Sequence, residues 1–238
     1  MKLGLNLPYE GSLSFPEAVE LARCAEALGF ESVWMPEAYG TDAISILGAI
    51  AARTERIELG TGIVNVFSRT PALLAQTAVT LDLISGGRFI LGLGTSGHQV
   101  ISGWHGLPFD QPLQRMRETI AIVRQVLRRE RLVFDGEVFH LDKGLKLLAR
   151  PLRETVPIYL ATLTPGGLRL TGELADGWIP TLFSPEHMDV FRPELEAGAR
   201  VSGRSLDSLA IAPHVPVSID DDRACLLYTS PSPRDRQK

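Results

Sequence analysis

The chain has 238 residues, of which 45% are hydrophobic and 22% are charged, so it can bury a substantial core. Its formal net charge is -4, and acidic and basic residues are interspersed along the sequence. The lack of a basic stripe argues against nucleic acid or an anionic membrane as a partner. Small molecules are the expected ligands. A homodimer is an open alternative to a monomer.

Targeting, redox and metal signals are weak. The apolar stretch in residues 1–8 is too short and interrupted for a signal peptide, and no run approaches the roughly 20 apolar residues that cross a bilayer. We therefore expect a cytoplasmic protein. Two cysteines cannot build a disulfide framework, and Cys24 is expected to be buried in a helix. The five histidines lack metal-site spacing, so no metal is predicted.

Short β-rich runs alternate with amphipathic helices, which is the pattern of βα units around a parallel sheet. The first helix begins with a capping box at Ser14 and Glu17 and ends at Gly29, and Asp42 caps the second. The predicted strands are 2–7, 30–35, 57–66, 89–93, 158–161, 178–182 and 209–217.

Proline marks the later helix starts, because its fixed backbone suits the first helical position. Residues 133–148 are expected to form an irregular insertion, and Pro193 is expected to divide the last helical region. The helices begin at Thr70-Pro71, Pro112, Thr164-Pro165 and Ser184-Pro185.

Seven parallel βα units fit an eight-stranded (β/α)₈ TIM barrel better than an open doubly wound sheet, because no nucleotide fingerprint follows the first strand. The periodicity stops near residue 224, and residues 225–238 are rich in Ser, Pro and Arg. We expect residues 1–224 to form an incomplete barrel that lacks its last strand and helix. The tail 225–238 is expected to be disordered and non-native, with an ordinary disordered terminus as the alternative.

Glycines and small polar residues end two of the predicted strands, at the end of the barrel where TIM barrels place their chemistry. Glycine lets the backbone approach a planar ring, and the polar side chains can bind its edge. Tight packing alone is the alternative interpretation. The candidates are Gly62 and Asn65 in the last part of the third strand, and Gly94, Thr95 and Ser96 after the fourth.

A third candidate segment opens the helix after the fifth strand. Its free backbone N–H groups and the positive end of the helix dipole suit a phosphate, although an ordinary Thr-Pro helix start explains the same residues. The residues are Leu163, Thr164, Gly166 and Gly167.

Four segments gain specificity when they are taken together. They are Gly60-Thr-Gly-Ile-Val-Asn65 with Arg69-Thr-Pro71, Ser85-Gly-Gly-Arg-Phe-Ile-Leu-Gly-Leu-Gly-Thr-Ser-Gly97, Gly103-Trp-His-Gly106 and Ala175-Asp-Gly-Trp178. This combination resembles the luciferase-like monooxygenase family, and specifically its F420-dependent oxidoreductase class. The resemblance runs from Met1 to about Asp222, and it implies a barrel that binds coenzyme F420, with FMN as the alternative.

The resemblance also implies where the coenzyme lies. A non-proline cis peptide or a bulge would back the ring, and here it would fall at Gly62-Ile63. Asn65, Thr95 and Ser96 would hold the ring or its side chain, and residues 163–167 would hold the phosphate.

The chain departs from the sugar-phosphate dehydrogenase branch of this family, which has an acidic residue followed by histidine after the second strand. Here Ala38 follows Glu37, so the proton transfer and the substrate of that branch cannot be carried over.

Glu37 and His98 are the candidate catalytic residues. Burial of Glu37 would favour its protonated form and suit it to proton transfer, with a solvated loop glutamate as the alternative. His98 could donate to the substrate, although a lone histidine in a glycine-rich loop is more often structural or exposed.

The resemblance implies an F420-dependent oxidoreductase that transfers a hydride between the deazaflavin and a small organic substrate. An FMN-dependent monooxygenase on the same fold is one alternative. A non-catalytic F420-binding protein is another alternative, because Ala38 stands where the sugar-phosphate dehydrogenase branch has histidine. The incomplete barrel is expected to show little activity by itself.

Overall fold

The computed structural model describes residues 2–8, 13–181, 183–217 and 221. The tail predicted for 225–238 lies outside the described residues, as does Leu182 at the end of the predicted sixth strand.

The first five helices begin at the predicted starts, whereas a 3₁₀ turn at Pro185–His187 stands at the predicted start of the sixth, which begins at Met188. Glu17 accepts a hydrogen bond from the backbone N–H of Ser14 at 2.8 Å in the expected capping box, and Asp42 accepts one from Ser45 at 2.7 Å. These side chains satisfy N–H groups that have no partner within their helix. The helices are α1 (Phe15–Ala27), α2 (Ala43–Ala51), α3 (Pro71–Ser85), α4 (Pro112–Leu127), α5 (Pro165–Leu174) and α6 (Met188–Val201).

The strands occur in the predicted order, with two additions. They are β1 (Gly4–Asn6), β2 (Ser32–Met35), β3 (Glu58–Thr61), β4 (Val64–Asn65), β5 (Phe89–Gly94), β6 (Leu132–Asp135), β7 (His140–Leu145), β8 (Ile158–Ala161), β9 (Gly177–Trp178) and β10 (Ala210–Ile211). One parallel sheet runs β1-β2-β3-β5-β8-β9-β10, and β4 also pairs with β5. Because β3 and β4 are two halves of the predicted third strand, the predicted barrel strands are all present.

The sheet curls into an open barrel. The side-chain nitrogen Nδ2 of Asn6, in β1, lies 3.4 Å from Nε2 of His214, just beyond β10. Within the described residues no strand joins β10 to β1, so the barrel does not close. The predicted incomplete (β/α)₈ barrel is confirmed.

Aromatic rings fill part of the barrel interior. The Trp34 and Tyr159 ring centroids lie 5.6 Å apart, and the Trp34 indole N–H donates to Ser32 at 2.8 Å. A Cβ at Gly60 would overlap the Trp34 ring, and one at Gly177 would clash with Tyr159. Glycine at these two strand positions therefore makes room for the interior rings.

The predicted irregular insertion is wrong, because residues 132–145 form an antiparallel hairpin of β6 and β7. The sequence contains a signal for the hairpin, because Leu132 and Phe134 stand two positions apart, as residues on one face of a strand do. Both side chains pack against the core together with Leu141. Glu118 of α4 holds the turn through hydrogen bonds from the N–H groups of residues 137–139.

Three smaller expectations are also wrong. Pro193 does not divide α6, because it is only the sixth residue of the helix and removes a single backbone hydrogen bond. The last two strands are shorter than predicted, since Pro180 and Pro213 cannot donate to a ladder. Cys24 is exposed, on the side of α1 away from the buried Ala22 and Ala25.

Among the described residues, none of the helices combines the length and apolar character needed to cross a membrane.

Candidate coenzyme site

A cavity of about 750 Å³ lies at the carboxyl ends of the strands, next to the first turns of α4 and α5. This is the end of a TIM barrel at which active sites form, and the volume suits an organic coenzyme. The cavity brings together most of the predicted residues. Those that line it are Ile63, Gly94, Thr95, Ser96, His98, Leu163, Thr164, Gly166 and Gly167.

Three predicted residues do not line the cavity: Glu37, Gly62 and Asn65. Each lies next to it in the chain or in the sheet. Gly62 precedes Ile63, Asn65 pairs with Gly94 across β4 and β5, and the backbone N–H of Glu37 donates to Ile63 at 3.1 Å. Their predicted contacts with a coenzyme stay predictions.

The peptide bond between Gly62 and Ile63 is cis, at the position that the sequence indicates. It separates β3 from β4. The N–H of Gly62 donates to the carbonyl of Met35 at 2.9 Å, which fixes the junction to the end of β2. A Cβ at Gly94 would lie 2.7 Å from Cδ1 of Ile63, so glycine lets the Ile63 side chain form part of the cavity wall.

The Asn65 side chain organises the loop that follows β4. It is 1% exposed, and its oxygen accepts hydrogen bonds from the N–H groups of Phe67 at 3.0 Å and Ser68 at 2.7 Å. Its nitrogen Nδ2 is buried and makes no hydrogen bond within the described residues. A buried donor without a partner costs free energy, so an acceptor atom of a ligand would be stabilised next to Nδ2.

The start of α5 forms a second polar part of the cavity. The Thr164 hydroxyl accepts a hydrogen bond from the N–H of Gly167 at 3.2 Å, whereas the N–H of Gly166 has no acceptor within the first turn. A Cβ at Gly167 would overlap the Thr162 hydroxyl, and one at Gly166 would lie 2.8 Å from Leu113 of α4. Glycines thus keep this helix end close to its neighbours, with backbone exposed to the cavity.

His98 is the one titratable side chain in the described cavity lining, which contains no Lys, Arg, Asp or Glu. Its ring meets Phe109 edge-on at a centroid distance of 6.2 Å, and Phe109 stacks on Phe67 at 5.2 Å. The π-helix Gln99–Trp104 follows His98 and was not predicted. The backbone of Ser96 is left-handed, with φ of 55°, which turns the chain between β5 and His98.

Glu37 belongs to a charge cluster beside the cavity. Its two carboxylate oxygens contact the guanidinium of Arg69, which also lies 2.6 Å from Asp42. The hydrogen bond to Glu37 raises the pKa of Arg69 above its ordinary value. Arg69 is not among the predicted site residues, although it stands in the family-like Arg69-Thr-Pro71 segment.

The cavity fits a flavin-type coenzyme by its own chemistry. Backbone next to glycine, the threonine hydroxyls and the start of α5 can bind an uncharged ring and a phosphate. Within the described ranges, no group of three or more His, Cys, Asp or Glu side chains is placed to hold a metal ion.

Comparison with known proteins gives consistent matches. The family model described as luciferase-like monooxygenase matches residues 1–227. A provisionally assigned coenzyme F420-dependent oxidoreductase of Mycobacterium tuberculosis is 42% identical, and the match covers 94% of this chain and 68% of the relative. The 5,10-methylenetetrahydromethanopterin reductase of Archaeoglobus fulgidus is 33% identical over 224 residues, covering 94% of this chain and 66% of that protein.

A solved structure agrees with these sequences. The coenzyme F420-dependent tetrahydromethanopterin reductase from Methanopyrus kandleri has a TM-score of 0.85 and 29% identity, covering 94% of this chain and 68% of that one. The chain therefore spans about two thirds of the length of the relatives that it matches.

Proposed function

Because this chain belongs to the luciferase-like monooxygenase family, we propose that it acts as a coenzyme F420-dependent oxidoreductase on a small organic substrate. The cavity at the strand ends carries this proposal, since it combines a glycine-bordered apolar wall with the start of α5. The names of the relatives favour F420 over FMN. When bound, the deazaflavin supplies the hydride-transfer chemistry, and the protein supplies binding and orientation.

The residues of the chain have distinct roles in this proposal. Ile63 and Gly94 form the wall against which the ring lies, and Thr95 and Ser96 bind its polar edge. The N–H of Gly166 and the hydroxyl of Thr164 bind the phosphate. Because the described lining contains no Lys or Arg, the affinity for the phosphate comes mainly from the helix dipole and from these hydrogen-bond donors.

His98 is the favoured group for proton transfer, because it lines the cavity and its ring makes no hydrogen bond with the side chain or backbone of a described residue. Glu37 is the second candidate from the sequence, but Arg69 and the N–H of Ala43 already hold its two oxygens. A general acid must reach the reacting group directly or through one water.

Binding and turnover measurements test the proposal. Titration of the protein with coenzyme F420 and, separately, with FMN is expected to give tighter binding of F420. Tighter binding of FMN would instead support an FMN-dependent monooxygenase. If F420 binds, a chain completed to the length of the relatives should show turnover when the reduced and oxidised forms of F420 are mixed with a panel of uncharged carbonyl compounds and alcohols. Binding without any turnover by that completed chain would support a non-catalytic F420-binding protein.

Gly166→Pro is expected to remove the contribution of the coenzyme phosphate to binding, because proline lacks the N–H donor. Hydrogen bonds to charged groups contribute about 1.5–3 kcal/mol, which corresponds to roughly 10–100-fold in affinity. The measurement is the ratio of the Kd values for F420 and for a deazaflavin without the phosphate tail.

Gly166→Ala is the matched control, because it adds a Cβ near Leu113 but keeps the N–H. The alanine variant should keep the preference for the complete coenzyme. Equal affinities for the two ligands in the unmodified protein would remove the phosphate site from the proposal.

A further inference from the structure

We propose that Arg69 is a positioning residue for the coenzyme cavity, which it acts on through Glu37 and Ile63. The relevance to the coenzyme rests on the proposed function. The guanidinium nitrogen Nη2 of Arg69 lies 2.9 Å from Oε2 of Glu37, and Nη1 contacts Oε1. The side chains of Arg69 and Glu37 are only 15% and 10% exposed, so water competes little for this pair.

The pair joins two loops that border the cavity. Glu37 follows β2, whereas Arg69 lies in the loop between β4 and α3. The backbone N–H of Glu37 donates to the carbonyl of Ile63 at 3.1 Å. Glu37 is therefore fixed to Arg69 through its side chain and to Ile63 through its backbone, and Ile63 lines the cavity.

The charges in this cluster favour a fixed carboxylate. Glu37 also accepts a hydrogen bond from the N–H of Ala43 at 3.0 Å, at the start of α2. The N-terminus of a helix favours negative charge. Arg69 also pairs with Asp42, so one guanidinium connects the two carboxylates. Because both of its oxygens already accept hydrogen bonds from Arg69 and Ala43, Glu37 is better placed to hold the loop than to contact a reacting group.

Two single variants and their combination test this role by their effect on coenzyme binding. Arg69→Met and Glu37→Gln are each expected to raise the Kd for F420 about tenfold, which equals about 1.4 kcal/mol. Each change removes the charge of one member of the pair. The double variant should bind F420 about as weakly as either single variant, because both act on one interaction. Arg69→Lys should give a smaller change, since it keeps the charge but loses the planar pair of donors.

A second measurement needs no coenzyme. In the ligand-free protein, Arg69→Met should accelerate hydrogen exchange at the amide of Glu37, whose N–H donates to Ile63. This measurement tests whether Arg69 holds the loop, and it does not depend on F420 binding. A protein that binds no F420 would contradict the proposed function, but the exchange result would still test the role of Arg69.

Arg153→Met is the matched control. Arg153 also holds a buried carboxylate with two nitrogens, since its Nη2 lies 2.6 Å from Asp82, but it contacts Phe89 at the opposite end of β5 from the cavity. This variant should lower the Tm without changing the Kd for F420. Unchanged Kd and unchanged exchange in Arg69→Met would overturn the inference. So would a Glu37→Gln variant that loses turnover but keeps its affinity, because that result makes Glu37 a proton carrier.

Discussion

His98→Gln is expected to lower turnover of the coenzyme-loaded protein by about 100-fold or more, while the Kd for F420 changes by no more than about twofold. General acid–base catalysis contributes about 10²–10⁴ in rate, and glutamine keeps much of the polarity of histidine but cannot transfer a proton at neutral pH. His98 lines the cavity at the turn after β5, where its removal leaves the threonine and glycine contacts intact. The measurement compares kcat with the Kd from a separate titration, so that chemistry and binding are distinguished.

His140→Gln is a suitable control, because His140 is an exposed histidine in the hairpin and pairs with Asp135 at 2.7 Å. It should leave both parameters unchanged. If turnover survives in His98→Gln, the proton must travel through Glu37 or solvent. A parallel rise in Kd would show instead that His98 serves mainly to bind the coenzyme.

The barrel could be predicted because the residues that mark its helices and strands lie close together in the sequence. Capping residues such as Ser14 and Asp42 mark helix starts, and the glycines at the strand ends mark the places where the backbone approaches the cavity. Each of these signals depends on residues a few positions apart. The order of strands around a parallel sheet then places all of the marked ends together.

The charge cluster could not be predicted in the same way. Glu37 and Arg69 are separated by 32 positions, and their contact depends on how two loops fold over the strand ends. The sequence indicates that Glu37 lies near the cavity, but it does not reveal which donors occupy its oxygens. The same limit applies to Asn65, whose oxygen binds the N–H groups of its own loop.

The hairpin of β6 and β7 was missed for a different reason. Partly buried and exposed residues alternate in β6, but β7 has two exposed residues in succession, and the short stretch interrupts the βα pattern. Besides the packing of its apolar side chains on the core, a long-range polar contact attaches it to the barrel through the carboxylate of Glu118 in α4. This attachment gives the largest stability effect that we expect in the described part of the chain.

Glu118→Ala is expected to lower the free energy of unfolding by about 3 kcal/mol. Glu118 is 2% exposed and accepts hydrogen bonds from the N–H groups of Glu137 at 2.7 Å, Val138 at 3.1 Å and Phe139 at 2.9 Å. A buried N–H without a partner costs about 1–3 kcal/mol, and water entering the cavity left by the side chain offsets part of the sum. For a protein of this size the Tm should fall by roughly 6–12 °C.

The pH dependence of stability gives a second readout of the same carboxylate. Burial is the largest single influence on Glu118 and disfavours its charge, but the hydrogen bonds from Gln114 and from residues 137–139 together outweigh burial and lower its pKa. A carboxyl whose pKa is lower in the folded than in the unfolded state adds stability above its ordinary pKa, and this contribution disappears as the pH falls through the folded value. The difference in unfolding free energy between the unmodified protein and Glu118→Gln should therefore be largest near neutral pH and shrink in acid.

Urea unfolding at several pH values measures this difference, with Glu130→Gln as the control. Glu130 is an exposed glutamate near the end of α4 that pairs with Arg128, and water screens exposed pairs of this kind. Glu118→Gln keeps one acceptor oxygen and should lose less stability than Glu118→Ala. A difference that stays constant from neutral to acidic pH would show that the Glu118 carboxylate does not hold the hairpin through its charge, and that packing of Phe134 and Leu141 attaches it to the barrel instead.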